Sequence, residues 1–589
     1  MTMLTGYNGE VESLRQREYS HMRGVYLDHG GATIYAKSTV EAFSSKMITG
    51  LYGNPHSENS PAKLSGEVVD IVRAKMLDFF GANTEDFDLI FVANATSAIK
   101  LVADAFRDLA DKSPQRREFW YGYHKDAHTS LVGVREFTGQ SYCFNSDEEV
   151  EEWLEYPESS DTNRYNHRGL GLFAYPGQSN LTGRRLPLSW SSRLRRSKFL
   201  RNTYTLLDAA ALAMTFPMEN IFQDRDAAPD FTCFSLYKIF GFPDLGTLVV
   251  RKDSGHILSL RKYFGGGTVS MVSTFGDNPW HQSKGLQSPT YKLHEGLEDG
   301  TLPFHSILAL GEAIDVHRRL YGSMKKISEH TAYLTERLHY GMTELRHANG
   351  RPACHIYSES PDFGDSSRQG PTIAFNMVLP TGDYISYSDV ERIANNNDIY
   401  VRSGGVCNPG GIFSILGYEP WYVGSQDDAP KTVLSIGKRI ERDLLGITVD
   451  LTASRSSMDF QQVLKYLTSV CTGSVVRASI GAMSTRQEVD TFIKFLQNAF
   501  IDHAIKDKNS SILASPTTTL RSMASDITLD TRDKSMLPAT MMTEEIKNDR
   551  TREKQNSIVS HLRRPARFGR KVSLFSLRGN STGRPAAVR

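Results

Sequence analysis

An apolar run, TYTLLDA (203–209), carries Asp208 near its end, and a second, FTCFSL (231–236), leads through Ser235 to Lys238. If both runs are buried strands of one open α/β sheet, a carboxylate and an amine arrive at the same edge, where such sheets bind ligands. Pyridoxal phosphate chemistry needs that pair. The lysine bonds the cofactor aldehyde, and the acid keeps the pyridine nitrogen protonated so that the ring draws electrons. Taken singly, Asp208 reads as a helix cap and Lys238 as a surface residue; together they carry the inference. NATSAIK (94–100) adds a strand-to-helix turn whose Thr96 and Ser97 hydroxyls and N–H groups stand where a helix N-terminus attracts an anion, here a cofactor phosphate. His128, in DAHTSLVGVRE, opens another such turn, where a flat imidazole can stack on the cofactor ring.

A nucleophile candidate lies further on. Cys407 sits in GGVCNPGG (404–411), a Gly-rich, Pro-broken segment expected to lack regular structure and to form a mobile, accessible loop. A thiolate that must reach a bound substrate and carry a group away needs such access. Cys143, Cys233 and Cys354 read instead as small hydrophobes. Arg402 and Arg477 are cations able to grip an amino-acid carboxylate with two hydrogen bonds.

Short β-branched runs alternate with longer amphipathic stretches, the pattern of βαβ units around a mainly parallel sheet. DLIFVAN (88–94), GLGLFAY (169–175) and GTLVVR (246–251) read as further buried strands, and 96–110 as a helix. Beyond residue 300 the pattern changes: a helix over 324–345, a strand at 371–379, a helix near 388–395, VVRASIG (475–481) and a helix over 487–500. The predicted organisation is α/β. An N-terminal segment, 1–53, contributes to the smaller domain; 54–305 forms the large cofactor-binding domain, 306–505 a smaller α+β domain carrying the Cys407 loop, and 506–589 a basic tail.

The 589 residues carry 68 Lys and Arg against 67 Asp and Glu, a balance unlike that of a nucleic-acid wrapper. It conceals a division. Residues 551–589 contain ten basic residues and one acid, leaving a net −8 on the other 550. The last 84 residues lack Trp and Tyr, a composition that cannot bury enough apolar surface to offset chain entropy, so they are expected to be disordered. Neither nucleic acid nor membrane is an expected partner. Five cysteines without a CxxC pair exclude a disulfide framework and a structural zinc site and fit a reducing, cytoplasmic setting. No signal-peptide pattern and no run of eighteen apolar residues is present.

YLDHGGAT (26–33), GNPHS (53–57), YPGQSNLTG (175–183), FSLYKIFGFPDLGTLVVR (234–251), YFGGGTVS (263–270), QGPTIAFN (369–376), VRSGGVCNPGG (401–411) and VRASIGAMST (476–485) occur in that order. Together they closely resemble the N-terminal, cysteine-desulfurase-like domain of eukaryotic molybdenum cofactor sulfurases, which are class V aminotransferase-fold pyridoxal phosphate enzymes of fold type I. The resemblance implies residue roles. Lys238 is the Schiff-base lysine, Asp208 the pyridinium partner, His128 the stacking residue, and Asn180 a ligand of the cofactor's phenolic oxygen. Ser235 joins Thr96 and Ser97 on the phosphate, and Thr268 reaches the phosphate from the other subunit of a homodimer. Of the two arginines, the resemblance favours Arg477 over Arg402 as the residue that holds the substrate carboxylate. Cys407 takes sulfur from L-cysteine as a persulfide, releasing alanine.

Two departures from the relatives' pattern stand near the pocket: Asn94 replaces a usual glycine, and Ala211 a larger polar residue. Full-length relatives continue into a β-rich molybdenum-cofactor-binding domain. The 84 residues after Ile505 are not expected to form one, so the sulfur acceptor is open, with a separate molybdenum-cofactor-binding protein one candidate. The alternative function is a C–S lyase, decarboxylase or epimerase of the same fold acting on another amino-acid-derived substrate, with Cys407 incidental. A non-catalytic scaffold has no need of Lys238, Asp208, His128 and Cys407 together.

Overall fold

The computed structural model describes residues 7, 10–112, 118–157, 169–276, 279–285, 292–358, 363–416 and 474–501. Cys471 and the basic tail, 506–589, lie outside the described residues.

Continuous apolar runs form most strands of a seven-stranded sheet. In spatial order the seven are Phe87–Val92, Gly246–Arg251, Phe231–Ser235, Thr203–Asp208, Gly171–Pro176, Trp120–His124 and Gln140–Phe144. Gly246–Arg251 runs antiparallel to both neighbours and the other six share one direction, so the expected mainly parallel α/β sheet is present. The first five of these, from Phe87–Val92 to Gly171–Pro176, read as near-continuous apolar runs because both faces are covered. In Gly171–Pro176, Leu172 and Ala174 point into one apolar core and Phe173 and Tyr175 into the other, the two-residue alternation of a strand.

Helices begin and end where the local sequence demands it. Asn59 accepts the Ala62 N–H to start Ser60–Phe80, and Gly81 ends it in the left-handed region, φ 71°. There a Cβ would stand 2.8 Å from Glu219 Cα. Asn94 similarly caps the amphipathic helix Ala95–Ala110.

A smaller antiparallel sheet is ordered Cys354–Tyr357, Thr372–Met377, Val475–Ser479, Arg402–Gly404. The helices Met324–Thr343 and Arg486–Phe500 cover it through Leu334, Leu338, Val489, Phe492 and Leu496. Val25–Tyr26 pairs in parallel with Ile399–Tyr400, and Asp28 bridges Ser479. The N-terminal segment thereby reaches the edge of the second sheet.

Candidate active site

The carboxyl ends of the parallel strands carry the chemistry. Asp208 closes Thr203–Asp208 and Ser235 closes the adjacent Phe231–Ser235. Asp208 is 7% exposed, and its Oδ1 accepts the Ala210 N–H at 2.9 Å. It forms no ion pair with a Lys or Arg among the described residues, leaving a buried carboxylate whose charge calls for a cationic partner. Lys238 follows on the short helix Tyr237–Phe240. Burial, then the positive charges of Arg477 and Arg402, push its amine down to about 8 against the pull of Asp208 and Asp28. A half-buried amine that sheds its proton near neutral pH suits attack on an aldehyde, and the acid beside it suits a ring nitrogen that must stay protonated. These two observations fit the lysine-bound pyridine cofactor implied by the sequence.

The anion end is built around Ala95–Ala110. Ser235 Oγ accepts the Ala95 N–H at 3.2 Å, and Asn94 Oδ1 accepts from Ser97 N and Oγ at 3.0 and 3.3 Å. Asn94 has φ −168°, ordinary extended backbone, so its replacement of a glycine introduces no strain there. The glycine requirement falls on Gly246 opposite, where a Cβ would lie 2.4 Å from Asn94 Cα. Ser130 joins this end to the ring above it: its hydroxyl lies 2.8 Å from Thr96 Oγ1 and 3.0 Å from His128 Nδ1. The Ser130 N–H also donates to His128 Nδ1 at 3.1 Å, which leaves Nε2 as the ring's N–H donor. Ala211 is buried within the turn following Asp208.

Cys407 is exposed, as expected of an accessible thiol, but its surroundings correct the expectation of an irregular, mobile segment. Pro409–Ile415 is helical, and Asn408, wholly buried, caps it by accepting the Gly411 N–H at 2.9 Å. The cap and the proline in the first turn outweigh the glycines. Val406 and Cys407 both lie in the left-handed region, φ 43° and 58°, an arrangement that costs about 1–3 kcal/mol per non-glycine residue and persists only when the surroundings impose it. The fixing contacts are Asn180 Nδ2 donating to Val406 O at 2.7 Å and Thr129 N donating to Cys407 O at 2.9 Å. A hydrogen bond from His128, opposed by burial and assisted by the charges of His128, Arg402 and Lys238, holds the Cys407 thiol below the ordinary range. The other described cysteines differ. Burial drives Cys143 up to about 11, and Cys233 and Cys354 well above a free thiol.

Arg402 and Arg477 are register partners on neighbouring strands. Arg402 Nη2 lies 4.0 Å from Cys407 Sγ. Arg477 is 1% exposed; its Nη1 donates to Asn180 O at 2.9 Å and its Nη2 to Asp28 Oδ1 at 2.7 Å. Asp28 and Asn408 were not singled out from the sequence. Asn408 carried a readable signal, an Asn-Pro helix start; Asp28 carried none, since its partner is remote in the chain. Thr268 lies apart from this cluster. It is fully buried, its hydroxyl donates to Gly265 O at 2.8 Å, and no contact joins it to Lys238 or Asp208 among the described residues.

An amine and an acid at the edge of a mainly parallel α/β sheet, facing an exposed thiol in the turn that follows a strand of the smaller sheet, define a class, and sequence comparison agrees. The chain belongs to the class V aminotransferase family, whose model matches residues 25–417. A protein named molybdenum cofactor sulfurase from Botryotinia fuckeliana is 48% identical over 504 residues, 85% of this chain and 56% of that protein. The chain thus spans about half the length of the curated relatives it matches. Among solved structures, the apo cysteine desulfurase from Thermococcus onnurineus aligns with TM-score 0.57 and 18% identity over 83% of this chain and 97% of its own. The cysteine desulfurase CsdA from Escherichia coli aligns with TM-score 0.56 and 17% identity over 83% and 98%. At these identities the structures support the fold.

Proposed function

We propose that the chain is a pyridoxal-phosphate-dependent cysteine desulfurase that moves sulfur from L-cysteine onto Cys407 and releases alanine. The observation that carries this reading is the lowered, exposed thiol of Cys407, set beside His128 and close enough to Lys238 to feel its charge. Pyridoxal phosphate, when bound, supplies an electron sink that makes Cα and Cβ of an attached amino acid reactive. Lys238 would hold its aldehyde and Asp208 its ring nitrogen. His128 would cover its face, Asn180 would meet its phenolic oxygen, and Thr96, Ser97 and Ser235 its phosphate.

The protein's own groups then have defined tasks. Arg402 and Arg477 attract the substrate carboxylate. Lys238, neutral above about pH 8, takes a proton from Cα and returns it. The thiolate of Cys407 attacks the substrate Sγ. A sulfur–sulfur bond forms as the carbon–sulfur bond breaks, its electron pair returns to the three-carbon fragment, and protonation of that fragment gives alanine. Thiol plus cysteine becomes persulfide plus alanine, with no external oxidant or reductant.

The proposed assembly is a homodimer. Around the hairpin Val269–Val272 and His281–Ser283, Tyr263, Met271, Phe275 and Trp280 are exposed, an apolar cluster suited to a partner subunit. Thr268, at the foot of this hairpin, is buried with its hydroxyl on Gly265 O, so it would serve the phosphate of the other subunit only after its side chain turns outward. The proposed acceptor of the persulfide sulfur is a separate molybdenum-cofactor-binding protein, on the strength of the relatives' names. No helix among the described residues is long and apolar enough to cross a membrane, and a thiol that must stay reduced suits a cytoplasmic setting.

Replacing Lys238 by Ala tests the cofactor assignment. The protein should lose the visible absorbance of lysine-bound cofactor and all alanine formation from cysteine; an unchanged spectrum would contradict it.

A further inference from the structure

Asn408 follows Cys407 directly and is wholly buried. Its polar contacts have a fixed sense. Gly411 N–H can only donate, so Asn408 Oδ1 accepts at 2.9 Å and Nδ2 must donate elsewhere. It donates to Asp126 O at 3.1 Å, which can only accept, to Asn180 Oδ1 at 3.0 Å and to Ser179 Oγ at 3.5 Å. With its oxygen engaged, Asn180 presents Nδ2 as donor to Val406 O at 2.7 Å. One polarity therefore runs from Gly411 through Asn408 and Asn180 back to Val406, enclosing Cys407. The anchor is rigid: Arg184 holds the Asp126 carboxylate at 2.9 Å and Asp147 at 2.7 Å. Gly410 lies so close to the same turn that a Cβ there would stand 2.3 Å from Lys125 O.

We propose that Asn408 is a positioning residue: this one buried side chain sets Asn180 in its donor orientation and holds Val406 and Cys407 left-handed, placing the thiol at the pocket. The catalytic consequence rests on the desulfurase reading; the placement of the thiol does not. Without the Nδ2 donor, Asn180 is free to turn its amide over. Val406 O then loses its partner, and of the two fixing contacts only the Thr129 N–H on Cys407 O is left to offset the strain at 406 and 407. Sγ moves away from the groups that face it: His128 from the turn after Trp120–His124, Lys238 beyond Phe231–Ser235, and Arg402 and Arg477 from the smaller sheet.

The test uses the 589-residue chain with and without pyridoxal phosphate and compares wild type with Asn408→Asp. The variant keeps the acceptor for Gly411 N–H and turns a second oxygen against Asp126 O and Asn180 Oδ1. Iodoacetamide labelling of the Cys407 peptide is followed by mass spectrometry across pH. The expected result is a higher labelling midpoint and, at pH 7, a rate lower by about tenfold, with Cys143 labelling unchanged and a lower thermal midpoint, because a buried donor has become an acceptor facing two oxygens. A folded Asn408→Asp protein with the wild-type Cys407 profile overturns the proposal, as does an equal change at Cys143. Because the new carboxylate also adds negative charge beside Cys407, the uncharged Asn180→Ala, which breaks the same link from the other side, is compared in parallel: it should shift the Cys407 profile in the same direction, and an unshifted profile there also overturns the proposal. Alanine release by wild type is scored separately. Its absence together with a shifted Cys407 profile removes the desulfurase reading and leaves the positioning role standing.

Discussion

Asp28 and Arg477, 449 positions apart in the chain, meet at 2.7 Å. The contact ties the N-terminal segment to the smaller sheet and places one negative charge among Arg477, Arg402 and Lys238. Replacing Asp28 by Asn leaves a buried guanidinium unpaired. Because Asp28 is itself partly exposed, the expected loss of stability is on the order of 2 kcal/mol, below the full cost of breaking a buried pair. Thermal or urea unfolding checks it. The same change removes a charge that raises the Lys238 amine, so its titration midpoint should move further down.

Lys238 is expected to titrate near 8, far below a free lysine. Its reactive form is the neutral amine, so covalent capture by an aldehyde, trapped with borohydride in the cofactor-free protein, should rise with pH through a midpoint near 8. A midpoint near the ordinary lysine value would contradict the geometry.

His128 lowers the Cys407 thiol first through a hydrogen bond. In His128→Ala the thiol should titrate higher, and since the thiolate reacts, alkylation of Cys407 at pH 7 should slow by about three- to tenfold. Cys143 and Cys233, held up by burial, should respond little in either protein.

Gly246 lets its strand approach the start of the Ala95–Ala110 helix. In Gly246→Ala the new methyl meets Asn94 backbone atoms at 2.4 and 2.5 Å, which backbone movement alone can relieve. The expected cost is about 1–3 kcal/mol in unfolding measurements, with weakened cofactor affinity because Asn94 caps the helix at the anion end.

Much of this architecture was legible because buried parallel strands are written as continuous apolar runs. Asp208, Ser235 and the Asn94–Ser97 turn fall at strand or helix ends, where such runs stop. Two strands of the seven-stranded sheet were not legible, nor were Cys354–Tyr357 and Arg402–Gly404 of the smaller one. In WYGYH, Gly122 makes room for the Trp120 ring, which a Cβ would approach to 2.3 Å, and this interrupts the pattern. Gln140–Phe144 is an edge strand with its first two residues exposed. Within the site, Lys238 and Cys407 could be named from their neighbours in sequence. Asp28 and the full role of Asn408 could not, since their partners lie hundreds of residues away. Counting glycines around Cys407 also favoured a loop over the Asn-Pro helix start that governs the segment.

The central claim concerns Cys407. The purified 589-residue chain, loaded with pyridoxal phosphate and given L-cysteine, should release alanine while the Cys407 peptide gains one sulfur by mass spectrometry. Cys407→Ser should bind the cofactor normally and form alanine at less than about one hundredth of the wild-type rate. Alanine formation at an unchanged rate in Cys407→Ser, or none in the wild type, would contradict the account.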